Sequence, residues 1–131
     1  MIRVLDASAL IAYLAKESGY EKVKDALAHA AESEKRLLIS AVNWGEVYYF
    51  LIKKFGIDQT NYILSLVETF PLDVIAANQE TAKQAGWYKA QKRLSYDDGY
   101  AAALAKSHKG ELLTSDKDFK EVEGEFKILW V

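Results

Sequence analysis

Cysteine is absent from this 131-residue chain. That excludes a disulfide framework and any thiolate metal site. Proline occurs once, at Pro71, and no Gly/Ser/Pro-rich stretch, repeat or low-complexity tract marks a boundary. One domain spanning residues 1–131 is expected. Long apolar runs are lacking too. The longest, Ala9 to Ala15, is far short of the ~20 residues a membrane-spanning helix needs. Arg3 and Asp6 interrupt the N-terminus before the apolar region of a signal peptide can form, so a soluble cytoplasmic protein is the default expectation. Asn, Gln and Met are sparse, a composition found in thermophiles. Nor is there an excess of positive charge. The 17 basic and 19 acidic residues leave a formal charge of −2, so net charge does not advertise a nucleic-acid binder and the placement of charges must decide.

Hydrophobic residues make up half the chain, and their pattern alternates between short β-branched runs and longer helical stretches. Ile2 to Leu5 reads as a buried strand ending at Asp6, with Ser8 starting a helix from Ala9 to about Lys16. Ser18-Gly19 breaks it before a second helix, Tyr20 to Ser33. Arg36 to Ile39 is a second strand. Ser40 caps a third helix, Ala41 to Phe55, which stops at Gly56. Asp58 is expected to cap a fourth helix reaching Phe70, and Pro71 to Ala76 is a strand. Asn78 caps a helix to about Arg93, and Ser95 caps another through His108, closed by Gly110. Glu111 to Thr114 is a strand, Asp116 to Glu121 a helical turn, and Lys127 to Val131 the last strand. Strands separated by helices predict an α/β protein, a three-layer α/β/α sandwich on a mostly parallel sheet. Such sheets bind ligands beyond the carboxyl ends of their strands, where Asp6 and Asp116 both fall.

Four acids stand out, each with an ordinary alternative. Asp6 could simply cap the first helix. Glu46 shares a helix row with Val42 and Phe50 amid Val47, Tyr48, Leu51 and Ile52; a carboxylate there is costly unless paired or bound to metal. The alternative is an exposed Glu with a covered stem. Asp98, in Ser95-Tyr96-Asp97-Asp98-Gly99, fits a capping box, although capping needs only one of the two acids. The small face that follows (Ala101, Ala102, Ala103, Ala105) predicts close packing against the sheet, which would aim the helix's first turn at the strand ends. Asp116 and Asp118 could each cap a turn.

Taken in order, Leu5-Asp6-Ala7-Ser8, a mid-chain helical Glu46, Leu94-Ser95…Asp98…Ala101-Ala102, and Leu113-Thr114-Ser115-Asp116-Lys117-Asp118-Phe119 resemble the PIN-domain family. The likeness is greatest to the VapC-type toxin ribonucleases of toxin–antitoxin systems. It runs from Ile2 to Phe119. It implies a metal-dependent endoribonuclease with Asp6, Glu46, Asp98 and Asp116 as catalytic metal ligands and Ser8, Thr114 and Asp118 as auxiliaries. Asp97 is an extra acid where the family usually has an uncharged residue, so the third position stays open between Asp97 and Asp98. Gly99 stands where alanine is commoner, which weakens that helix by up to about 1 kcal/mol. The resemblance also implies RNA as substrate, a cognate antitoxin and a homodimer, the last two supported by first and third helices that are apolar on more than one side (Leu10, Ile11, Tyr13, Leu14; Trp44, Val47, Tyr48, Tyr49).

Hard carboxylate ligands suit Mg²⁺, or Mn²⁺. If metal neutralises four acids, the rest of the chain carries +2. Lys53-Lys54, Lys89, Lys92-Arg93 and Lys106 to Lys109 are candidate phosphate contacts, with Tyr96 and Tyr100 beside the third acid. His29 and His108 read as surface residues. Two rivals are weaker matches. A haloacid-dehalogenase-type phosphatase uses Asp-x-Asp, but here Ser8 replaces the second acid. A receiver-like signalling domain needs an Asp after a middle strand, where this chain has Ala76-Ala77.

Overall fold

The computed structural model describes all 131 residues. Five strands form one parallel sheet: β1 (Arg3–Leu5), β2 (Leu37–Ser40), β3 (Leu72–Ile75), β4 (Glu111–Thr114) and β5 (Lys127–Trp130), in the order β3-β2-β1-β4-β5. The helices are α1 (Ala7–Leu14), α2 (Tyr20–Ser33), α3 (Ala41–Phe55), α4 (Ile57–Val67), α5 (Gln79–Lys92) and α6 (Tyr96–Ser107), with a 3₁₀ turn at Lys117–Val122.

Side-chain alternation along the strands builds the two outer layers. Leu5, Leu37, Ile39 and Leu113 face a core completed by α1 to α4 through Leu10, Val23, Val47, Leu51 and Val67. Val4, Leu38 and Leu112 face the other way, against α5, α6 and the 3₁₀ turn through Tyr88, Leu104, Phe119 and Val122. Buried on both faces, the inner strands are short and continuously apolar, as parallel sheets require.

The order of strands fixes the site. The chain runs outward from β1 through β2 to β3, then returns to place β4 on the other side of β1. The crevice between the carboxyl ends of β1 and β4 is therefore the point where the winding reverses, the usual ligand position in such sheets.

Several local expectations need correction. The first helix starts at Ala7 rather than after Ser8, because Asp6 itself is the N-cap. Asp58 does not cap α4. Gly56, at φ +82°, ends α3 and leads directly into α4, which leaves Asp58 inside the first turn. That helix also stops at Val67, and residues 68–70 form a turn into β3.

Gly99 carries a reason that helix propensity hides. A Cβ there would lie 2.7 Å from the backbone oxygen of Ala85 and 2.9 Å from its Cα. The α5–α6 pair thus packs backbone against backbone, and only glycine allows it. Gly99→Ala gains helix propensity yet forces α6 off α5, with overpacking of about 1–3 kcal/mol. We expect a fall in Tm of roughly 3–10 °C by calorimetry. A Tm at or above wild type would show that α5 and α6 are free to separate.

Candidate active site

Asp6, directly after β1, is 2% exposed. Its Oδ1 accepts from the Ser8 hydroxyl at 2.7 Å and from the Ala9 backbone N–H at 2.9 Å; its Oδ2 accepts from the Thr114 hydroxyl at 2.5 Å. A carboxylate oxygen has two lone pairs, so Oδ1 is filled and Oδ2 retains one. Asp6 does cap α1, through Oδ1, while Oδ2 bonds Thr114 across the β1–β4 crevice.

Ser8 and Thr114 lock this arrangement to β4. Thr114 Oγ1 also accepts from the Asp116 N–H at 2.9 Å, and Ser8 Oγ accepts from the Ser115 N–H at 2.9 Å. Asp116 caps the 3₁₀ turn, accepting from the Asp118 N–H at 2.9 Å. Phe119, fully buried, anchors that turn in the core.

Ser95 caps α6 by accepting from the Asp98 N–H at 3.1 Å. The buried face from Gly99 to Ala105 seats the helix closely, and its first turn points at the strand ends as the small residues predicted. Asp98 then meets Asp116 and Asp118, with one carboxylate oxygen from each lying within 4.8 Å of the others. This trio is the tightest acidic group. Asp118, expected only as an auxiliary, belongs to it, whereas Asp6 and Glu46 flank it.

Glu46 approaches from α3 and is half-buried. Asn43 Nδ2 donates to its Oε1 at 2.8 Å, and the Asp97 carboxyl lies beside it. The two neighbouring acids of α6 thus divide the site, Asp97 facing Glu46 and Asp98 facing Asp116. Asn43 was missed by sequence reasoning. Its position three residues before Glu46 places an amide beside the carboxylate on one helix face, a signal present in the sequence.

Burial, and after it the neighbouring acids, lifts three carboxyls well above their ordinary values. Burial, with the nearby Asp116 charge, pushes Asp6 up to about 6, against the Thr114, Ser8 and Ala9 hydrogen bonds that lower it. Burial and the Asp97 carboxyl carry Glu46 to about 7. Burial and the Asp116 carboxyl, with Asp6 and Glu46 beyond, carry Asp98 to about 8. A pocket that raises carboxyl pKa values by burial and like charge is suited to a divalent cation, which relieves both penalties. The donors are all oxygens, fitting Mg²⁺ or Mn²⁺.

The expected phosphate contacts fare less well. α6 begins at the acids, so Lys106 to Lys109 lie about 15 Å away at its far end. Lys92 and Lys106 flank Glu125 at 3.6 and 3.8 Å. Lys54 sits about 6 Å from the rings of Phe50 and Phe55. Arg93 is exposed in the turn before Ser95, and Lys117 is exposed between Asp116 and Asp118. Tyr100 is buried and its hydroxyl meets that of Tyr96 at 3.2 Å, so Tyr96 alone presents an open face, 40% exposed. His29 and His108 are on the surface as expected.

A three-layer α/β/α fold with acids from four segments gathered at the winding switch point presents a cluster of oxygen donors of a kind that can hold a divalent cation. The PIN-domain family profile matches residues 3–125, and the chain belongs to that family. Among solved structures, a toxin–antitoxin complex from Klebsiella pneumoniae aligns with TM-score 0.67 and 26% identity over 97% of this chain and 95% of that one. VapBC2 from Rickettsia felis, bound to a DNA fragment from its promoter, aligns with TM-score 0.78 and 17% identity over 98% of both chains. VapC20 of Mycobacterium tuberculosis, a Sarcin-Ricin loop cleaving toxin, gives TM-score 0.73 and 16% identity over 92% of this chain and 95% of that one. No curated protein sequence matches at a significant level. No helix is long and apolar enough to cross a membrane.

Proposed function

We propose that the chain is a single-domain, divalent-metal-dependent endoribonuclease and the toxin of a type II toxin–antitoxin pair. The observation that carries this is the convergence of Asp6, Glu46, Asp98 and Asp116, joined by Asp97 and Asp118, on one crevice, with three of the carboxyls held well above their ordinary pKa by burial and mutual charge. Asp98, Asp116 and Asp118 would hold Mg²⁺ or Mn²⁺, with Asp6 and Glu46 from the flanks. When bound, such ions activate a water and neutralise charge building on the phosphate. The protein's own part is positioning. Ser8 and Thr114 fix Asp6, Ser95 and Gly99 aim α6, and the exposed face of Tyr96 offers a platform for a base at the rim. Arg93 and Lys117 would contact phosphate.

Asp6 also argues against covalent phosphatase chemistry. Three hydrogen bonds and near-complete burial leave Asp6 a single free lone pair, on Oδ2, and Ser8 stands where that chemistry needs a second acid. Support for the toxin assignment comes from the similar solved structures, which include a toxin–antitoxin complex and a Sarcin-Ricin loop cleaving toxin. Support for an antitoxin groove and a homodimer comes from α3, where Trp44 is half-buried and Tyr48 and Tyr49 are 37% and 67% exposed, so that part of its apolar surplus stays outside the core. A cytoplasmic location follows from the same reading.

Purified protein incubated with Mg²⁺ and either structured RNA or acetyl phosphate separates the possibilities. We expect internal RNA cleavage, abolished by chelator, and no acetyl phosphate turnover. Phosphate release without RNA cleavage would replace the nuclease reading with a phosphatase one.

A further inference from the structure

Asn43 is fully buried in the first turn of α3. Its Nδ2 makes two hydrogen bonds at once, to Glu46 Oε1 at 2.8 Å and to the backbone carbonyl of Asp97 at 3.0 Å. Both partners are acceptors, so the amide orientation is forced; a flipped side chain would set its own oxygen against a carboxylate and a carbonyl. Asn43 Oδ1, by contrast, is buried with no partner. A buried orphan acceptor is costly, and an apolar residue of the same shape would avoid that cost at an ordinary core position. The residue therefore pays in stability for something its NH₂ group does.

That group joins the two helices that carry acids. One hydrogen holds the Glu46 carboxylate in place, and the other ties α3 to the first turn of α6, where Asp97 and Asp98 project. Elsewhere the site is built the same way, with Ser8 and Thr114 orienting Asp6 by paired hydrogen bonds. We propose that Asn43 is a positioning residue for the cation site, acting through Glu46 by fixing its carboxylate and its distance from the α6 acids. This rests on the cation-binding reading above but not on the identity of the substrate.

The test is a double-mutant cycle on Mn²⁺ binding, read by titration calorimetry on the full chain, with cleavage measured separately. Asn43→Leu keeps the volume and removes both donors. It should weaken Mn²⁺ binding by about 10-fold, within the range for partners that orient metal ligands. In a Glu46→Gln background, the same substitution should change Mn²⁺ affinity by less than about 2-fold, because the group it acts through is already gone. An equal loss in both backgrounds would mean that Asn43 acts through general packing and would overturn the proposal, as would unchanged affinity in Asn43→Leu. Should Asn43→Leu fail to fold, Asn43→Ser serves in the same cycle with the same expected contrast. Wild-type protein that binds Mn²⁺ but cuts no RNA would refute the nuclease reading and leave this inference standing. Wild type that binds no Mn²⁺ would overturn both.

Discussion

Replacing Asp98 or Asp116 by asparagine should reduce metal-dependent RNA cleavage by more than the 10–100-fold typical of residues that merely support a ligand, with the fold retained. Both acids belong to the tightest oxygen cluster in the molecule, and an amide keeps the shape while removing the charge that holds a cation. Asp6→Asn and Glu46→Gln should also abolish cleavage. Asp97→Asn is expected to keep substantial activity, since Asp97 faces Glu46 rather than the Asp116 side of the cluster. The cleavage rate at saturating Mg²⁺, with circular dichroism as a check on folding, measures all five. An inactive Asp97→Asn beside an active Asp98→Asn would reverse the roles of the two neighbours.

The second large effect is on stability, and its sign depends on metal. Asp6, Glu46 and Asp98 reach about 6, 7 and 8 in the folded protein, against roughly 4 when unfolded. A carboxyl whose folded pKa is raised costs nothing below its unfolded pKa, and its penalty grows with pH until it is complete above the folded value. In chelator, these groups should therefore lower Tm progressively between about pH 4 and 8. Mn²⁺ binds the ionised cluster, so it should raise Tm more at pH 8 than at pH 5. Asp98→Asn should flatten the first trend and shrink the second. A metal-free Tm that is level or rising from pH 5 to 8, with a Mn²⁺ shift independent of pH, would show that the carboxyls are not strained in the way their burial implies.

These effects trace back to what could be read from residue order. The strand β4 and the helices α2 and α3 fall where periodicity and breakers put them, and Ser40, Asn78 and Ser95 cap as Ser and Asn should. Local patterning is strong there because the apolar face, the cap and the stop agree. The acids stand out in the sequence as a set, because Asp6, Asp98 and Asp116 each pass as a capping residue whereas Glu46, inside a helix, does not. What stayed hidden depends on distance across the chain. Gly99 looks like a weak helix former until Ala85 is placed against it. Lys92 and Lys106 look like phosphate contacts until Glu125, in the segment before β5, arrives between them. Asp118 looks secondary until the turn brings it to Asp98. Asn43 had the right spacing from Glu46, but its second bond, to the Asp97 carbonyl 54 residues away, exists only in the fold.

The account turns on a cation held by this acid cluster, and anomalous diffraction tests that most directly. Crystals grown with Mn²⁺ and measured above its absorption edge should show their strongest anomalous peak among the carboxylates of Asp98, Asp116 and Asp118, facing Asp6, and the peak should vanish in Asp116→Asn crystals grown alike. Manganese density elsewhere on the molecule, with none in the crevice between β1 and β4, would contradict it.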